Sequence, residues 1–246
     1  MAGETTSGRE PERFFFVHVL KAAGTTLLIR FRRQFGEAGV YPNSTDGDPV
    51  NVAPQLVVEQ LQKRWPERRH EARIIAGHFP LCTAELLGDP FTTLSVVREP
   101  VERTLSYLRH HRTLTPADRD LPLEAIYEDP HRFDTLVHNH MVKMFSLSTE
   151  EMTGGALTVV EGGPERLARA KAGLESIDVL GTQEHFDEFC RHLTDRFGWD
   201  LGKPLTANRT ERFEVPESFR RRIAEDNADD VELYEHALEL VVNPSR

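Results

Sequence analysis

The sequence predicts an α/β fold: one domain built on a parallel β-sheet flanked by helices. Three observations predict it. Residues 14–19 (FFFVHV) and 92–97 (TTLSVV) are short, continuous apolar or β-branched runs, the mark of strands buried on both faces. Such runs alternate with helix-length amphipathic segments, which implies a parallel sheet. The 246 residues are 39% hydrophobic and 28% charged, an ordinary globular balance that can close a core without staples.

Residues 1–12 read as a polar, disordered leader and 13–246 as the domain. The first strand, 14–19, meets the small-residue turn Ala22-Ala23-Gly24, and Thr25 opens a helix that runs to about Phe35 and is ended by Gly36 and Gly39. Residues 41–48 are rich in turn formers, and a helix is expected over 54–65, with Leu56, Val57 and Leu61 on one face. A second core strand is expected at 73–76 and a third at 92–97, followed by Pro100 and a helix to about His111. Residues 113–130 form a polar connection, 132–147 a mixed helix, and the glycines at 154, 155, 162 and 163 mark a loop. A fourth strand is expected at 176–180. Thr182 then caps a helix with Phe186, Phe189, Cys190, Leu193 and Phe197 at helical spacing, and residues 216–242 are helical and acidic.

Lys and Arg total 30 against 40 Asp and Glu, a formal charge of −10. A globally acidic surface argues against non-specific binding to nucleic acid or anionic membrane, while permitting a local basic pocket. The two distant cysteines, Cys82 and Cys190, read as buried thiols of a reducing compartment rather than a bridge. No apolar run approaches the roughly 20 residues of a membrane span, and residues 14–20 are too short for one, so a cytoplasmic protein is expected.

In a parallel sheet, ligands bind beyond the carboxyl ends of the strands. There the first strand delivers Leu20-Lys21-Ala22-Ala23-Gly24-Thr25-Thr26-Leu27. Small residues let backbone approach a ligand, a helix amino terminus presents free N–H groups, and Lys21 adds a positive charge, all of which suit a phosphate. The loop is not a Walker A sequence, since the lysine precedes the glycine. A plain strand–turn–helix corner with a surface lysine is the other reading. The third strand ends at Arg98, with Ser106 about two turns into the next helix. An arginine fork and a hydroxyl can share a second phosphate, or Arg98 can be a structural residue paired with Glu102.

A lysine loop with G-T-T-L after the first strand, and R-E-P-V-E-R-T-L-S after a later one, resembles the sulfotransferases that use 3′-phosphoadenosine 5′-phosphosulfate (PAPS). The resemblance is greatest to the subgroup with the heparan sulfate 2-O- and chondroitin-type carbohydrate enzymes. Gly77-His78-Phe79, residues 179–189 (VLGTQEHFDEF) and the pattern Asn227, Asp230, Leu233, Tyr234 resemble further family landmarks in the same order. Leu20 replaces a usual proline, Ala22-Ala23 a polar residue plus glycine, and NHMVKM around Asn139 lacks the family's N-x-Q-T pattern.

The resemblance implies a P-loop NTPase-like sulfotransferase fold and PAPS as sulfuryl donor, with no metal required. It implies that Lys21 stabilises charge on the oxygen between sulfate and 5′-phosphate, and that Ala22, Ala23, Gly24, Thr25 and Thr26 hold that phosphate. Arg98 and Ser106 would then read the 3′-phosphate. His78, after a strand end at Gly77, is the candidate base; imidazole with a pKa near 6.5 suits proton removal at neutral pH. A capping or packing histidine is the other reading. His138 and His140, two residues apart, read as solvated or capping rather than as metal ligands. Arg209, in the segment Asn208-Arg209-Thr210, would fold over the nucleotide as the family's carboxyl-terminal loops do, or lie on the surface without contacts. The acceptor hydroxyl is expected on a small molecule, natural product or saccharide, its pocket shaped by residues 40–72 and 112–165. Two competing readings are a P-loop kinase-type phosphotransferase, which would need the Walker A pattern, and a non-catalytic nucleotide-binding module.

Overall fold

The computed structural model describes residues 12–46, 56–152, 154–202 and 215–242. In chain order these form β1 (Phe14–Val17), α1 (Gly24–Phe35), β2 (Val40–Tyr41), α2 (Val58–Arg68), β3 (Ile74–Ile75), α3 (Cys82–Leu87), β4 (Thr92–Val97) and α4 (Pro100–Leu114). There follow α5 (Leu123–Tyr127), a π-turn (Phe133–Val137), α6 (His140–Ser146), α7 (Pro164–Glu175), β5 (Val179–Thr182), α8 (Phe186–Phe197), α9 (Glu217–Asp226) and α10 (Ala228–Val242).

The strands form one five-stranded sheet in the order β2-β3-β1-β4-β5, and every pairing is parallel. Phe14 faces Ile74 on one side and Thr92 on the other, while Val97 faces Thr182. The carboxyl ends of β1, β3, β4 and β5 therefore share one rim. From β1 the chain departs toward β2, and from β4 it departs the opposite way toward β5. This reversal between adjacent strands opens the crevice where parallel α/β sheets bind ligands.

Successive side chains of β1 point to opposite faces. Phe14 and Phe16 pack with Leu27 and Phe31 of α1, Leu193 of α8 and Trp199. Phe15 and Val17 pack with Leu61 and Trp65 of α2, Met141 and Phe145 of α6, and Leu233 of α10. Each fully buried phenylalanine contributes roughly 1.5–3 kcal/mol, so β1 anchors both layers. A third cluster joins Leu105 and Leu108 of α4 to Tyr127 of α5 and to Phe219 and Ile223 of α9.

Several expected boundaries move. β1 stops at Val17, so His18 and Val19 already belong to the rim. Tyr41 lies in β2, a two-residue edge strand inside the segment read as turn. The helix expected over 54–65 is observed over Val58–Arg68, and Pro54 lies outside the described residues. The fourth strand is shifted to Val179–Thr182. Thr182 therefore ends a strand, and His185 occupies the amino-terminal cap of α8. The mixed helix over 132–147 is broken by Asn139 in the left-handed region. Helix α7 was not anticipated, although Pro164 stands at its first turn. The leader, apart from Glu12, lies outside the described residues. Both cysteines are buried free thiols. Among the described residues no helix is long and apolar enough to cross a membrane.

Candidate active site

The backbone leaves β1 through a tight loop. Val19 N–H donates to Val17 O at 3.1 Å and Ala22 N–H to Val19 O at 3.3 Å. Lys21 (φ 67°) and Ala23 (φ 62°) both lie in the left-handed region. That conformation costs a non-glycine residue roughly 1–2 kcal/mol, so the surrounding contacts impose it. α1 then starts at Gly24 with no side-chain cap and no acidic residue in its first turn. Its positive end thus goes without the neutralisation a helix usually receives from its own chain. Thr25 is exposed and Thr26 half-buried at this end. An anion with several oxygens suits such a corner.

The second corner follows β4. The Glu99 carboxylate caps α4, accepting from Val101 N–H at 3.0 Å and Glu102 N–H at 2.7 Å, with Pro100 in the first turn. Arg98, just ahead of this cap, turns back across the crevice, and its Nη1 donates to Lys21 O at 3.0 Å. Lys21 and Arg98, 77 residues apart in sequence, therefore meet at the rim of the sheet. Arg98 Nη2 also lies 4.0 Å from the Glu102 carboxylate, so the pairing with Glu102 is present as well. Burial, and then the charge of Arg98, push the Lys21 ammonium below its ordinary value. Ser106 is half-buried two turns down the same helix.

The third contribution comes from the end of β3. His78 Nδ1–H donates to His18 O at 2.9 Å, which leaves Nε2 with the lone pair. The ring stacks on that of His18 with centroids 3.9 Å apart. His18 in turn donates Nδ1–H to Ala76 O at 3.3 Å. Its Nε2 occupies the space where a Cβ on Gly24 would sit, 1.5 Å away, so only glycine fits at the start of α1. Burial lowers His78 to about 4, and the Lys21 charge acts in the same direction. Burial, followed by the charges of His78 and Lys21, carries His18 well below its ordinary value. Both shifts favour the neutral rings, and the Nδ1–H bond of His78 leaves its Nε2 as the acceptor.

Behind the cleft stands a buried polar pillar. Arg103, fully buried, donates Nη2–H to Val137 O at 2.8 Å and Nη1–H to Leu136 O at 3.3 Å, holding the π-turn. Asp230 accepts from Met141 N–H at 3.1 Å and Val142 N–H at 2.8 Å, and Asn227 Oδ1 accepts from Asn139 N–H at 2.9 Å. The Asn227/Asp230 pattern thus anchors the left-handed turn at Asn139. Lys143 Nζ donates to Thr135 O. His140 is fully buried beside this pillar rather than solvated, and its pKa is lowered well below the ordinary value, first by burial and then by Lys143 and Arg103. His138 stacks on Phe133 with centroids 5.2 Å apart.

Residues 21–26 follow β1 and Arg98 follows β4, joined by the Arg98–Lys21 contact, and His78 after β3 is bonded to His18; Ser106 lies in the second turn of α4, and Arg209 lies outside the described residues. Sequence reasoning missed His18, although a histidine interrupting an apolar strand was a visible signal. Two cavities of about 400 and 420 Å³ lie at the opposite, amino-terminal edge of the sheet, one beside Arg13, Trp65 and Arg69 and one beside Phe14, Phe197 and Trp199. Asp89 engages both Arg69, at 2.5 Å, and Arg13, at 4.0 Å, beside the first cavity.

No protein-family model matches the chain, and no curated protein matches it. Among solved structures it is similar to the crystal structure of a sulfotransferase from Alicyclobacillus acidocaldarius, with a TM-score of 0.51 at 17% identity, covering 91% of this chain and 94% of that one. The five-stranded parallel sheet with its flanking helices is thus a fold shared with that structure.

Proposed function

We propose that the chain transfers the sulfuryl group of PAPS to an acceptor hydroxyl, as enzymes resembling the heparan sulfate 2-O- and chondroitin-type subgroup do. One observation carries the reading: the Arg98 side chain reaches the Lys21 carbonyl, joining two anion-directed corners at the switch point of the sheet. Two such corners suit a nucleotide with phosphates at both its 5′ and 3′ ends.

In this reading the N–H groups of residues 23–26 and the threonine hydroxyls hold the 5′-phosphate, and Arg98 with Ser106 holds the 3′-phosphate. His78 Nε2 takes the acceptor's proton as the acceptor oxygen attacks sulfur. The bond from sulfur to the bridging oxygen breaks, and the electron pair leaves with the nucleotide, steadied by Lys21. A single preorganised donor of this kind is worth roughly 3–4 kcal/mol in related chemistry. Lys21 supplies the cation, so the scheme requires no metal. The half-buried setting of Lys21 strengthens its effect, because charge interacts more strongly where water is excluded. The buried thiols Cys82 and Cys190 support a reducing, cytoplasmic setting. The acceptor is a small molecule, natural product or saccharide.

The test is transfer of labelled sulfate from PAPS to a panel of hydroxyl acceptors. Wild-type protein should transfer label, and Lys21→Ala should cut turnover by at least about a hundredfold. Equal rates in the two proteins would remove the assigned chemistry. Nucleotide binding with no transfer to any acceptor would favour a binding module.

A further inference from the structure

Arg98 precedes the Glu99 cap of α4, and Ser106 lies in the second turn of that helix. Glu102 lies in the first turn of α4, and Ser106 follows it by about one turn on the same flank of the helix. In the PAPS reading, a phosphate held by Arg98 competes with the Glu102 carboxylate for that guanidinium. That carboxylate is already occupied, with Arg98 Nη2 at 4.0 Å and Arg220 Nη2, from α9, at 2.6 Å. The charge of Arg109 also acts on it. Glu99 caps α4 and Glu184 accepts from the Tyr234 hydroxyl at 2.7 Å, while the charges of both also act on Arg98. Two guanidinium groups, those of Arg98 and Arg220, thus converge on the one Glu102 carboxylate. The Arg220 and Glu102 side chains are 33% and 32% exposed, open to a ligand and free to re-pair. α9 itself is fixed on α4 by Phe219 and Ile223, so the Arg220 head can move without its helix.

We propose that Glu102 is a placeholder for the 3′-phosphate: it holds Arg98 and Arg220 until nucleotide binds, and the phosphate then takes both guanidinium groups over. Arg220 becomes a third phosphate ligand beside Arg98 and Ser106, although it lies far from the strand-end motifs in sequence. The inference rests on the PAPS reading. A phosphate offers three acceptor oxygens and close to two negative charges against the carboxylate's one, which drives the exchange. Glu102 then sits against a like charge and weakens binding, a penalty that eases release of the desulfated product.

The experiment is isothermal titration of the full chain with 3′-phosphoadenosine 5′-phosphate and with adenosine 5′-monophosphate, with melting temperatures recorded for each variant. Glu102→Gln should bind the doubly phosphorylated nucleotide about three- to tenfold more tightly and leave the monophosphate unchanged. Arg220→Gln should weaken the doubly phosphorylated nucleotide about tenfold and spare the monophosphate. A structural ion pair predicts the opposite sign for Glu102→Gln. Weaker or unchanged binding in that variant, or equal losses for both nucleotides in Arg220→Gln, overturns the proposal. If wild-type protein itself does not prefer the doubly phosphorylated nucleotide, the PAPS reading fails. If it does prefer it and Glu102→Gln brings no gain, only the placeholder fails.

Discussion

Replacing Gly24 by alanine probes the packing that ties α1 to the histidine pair. A Cβ there would lie 1.5 Å from His18 Nε2, 2.2 Å from Cδ2 and 2.3 Å from Cε1. Ordinary contact begins near 3.5 Å, so the ring must retreat by roughly 2 Å. It has little room, because it is stacked on His78 with centroids 3.9 Å apart and its Nδ1–H is held by Ala76 O. Overpacking of this kind costs about 1–3 kcal/mol, and the strained hydrogen bond adds about 1 kcal/mol. The better helix propensity of alanine returns up to about 1 kcal/mol, leaving a net loss near 2 kcal/mol. At about 2–4 °C per kcal/mol for a chain of this size, melting should fall by roughly 4–8 °C. Circular dichroism reads the melting, and sulfate transfer should fall more than about tenfold as His78 is displaced. Helix propensity alone predicts a rise in melting temperature, so an unchanged or higher value with full activity refutes the reasoning.

His78→Ala should abolish most transfer while preserving nucleotide binding; loss of nucleotide affinity instead would make the residue structural. Because His78 titrates at about 4 in the folded chain, the acid limb of kcat/KM should fall near that value and not near 6.5. The same lowering acts on stability, with the sign set by proton uptake. The folded pKa values of His18, His78 and His140 lie below the unfolded value, so the unfolded chain binds more protons between them. Stability is full above about pH 6.5 and declines as pH falls toward about 4; urea unfolding that gives one stability at pH 7.5 and pH 5 would contradict this. Asp230→Ala strips the Met141 and Val142 N–H groups of their acceptor and should cost about 2–5 kcal/mol in urea unfolding, whereas a loss under about 0.5 kcal/mol would mean the pillar carries no weight.

The parts of the fold legible in the sequence are those with strong local signals. The β-branched run 92–97 is β4 to the residue, and the glycine turn and apolar spacing place α1 within one residue of its observed start. β2 is only two residues long, too short for any periodic signal, and its existence depends on pairing with β3. Helix α7 was obscured by the glycine pair before it, although Leu167, Ala170 and Leu174 recur at helical spacing. The Lys21 and Arg98 corners were legible because parallel-sheet topology brings strand ends together wherever the strands fall. The His18–His78 stack was not, since it joins rings 60 residues apart, and Glu102 meets Arg220 across 118 residues. Motif resemblance marked Asn227 and Asp230 without saying why; their bonds to the Asn139 turn give the reason.

Soaking or co-crystallising the chain with 3′-phosphoadenosine 5′-phosphate tests the two-cornered site most directly. The account predicts the 5′-phosphate on the backbone N–H groups at the start of α1 near Lys21, and the 3′-phosphate within hydrogen-bond reach of Arg98. Electron density for the nucleotide away from that rim, or with the 3′-phosphate turned from Arg98 into solvent, would contradict it.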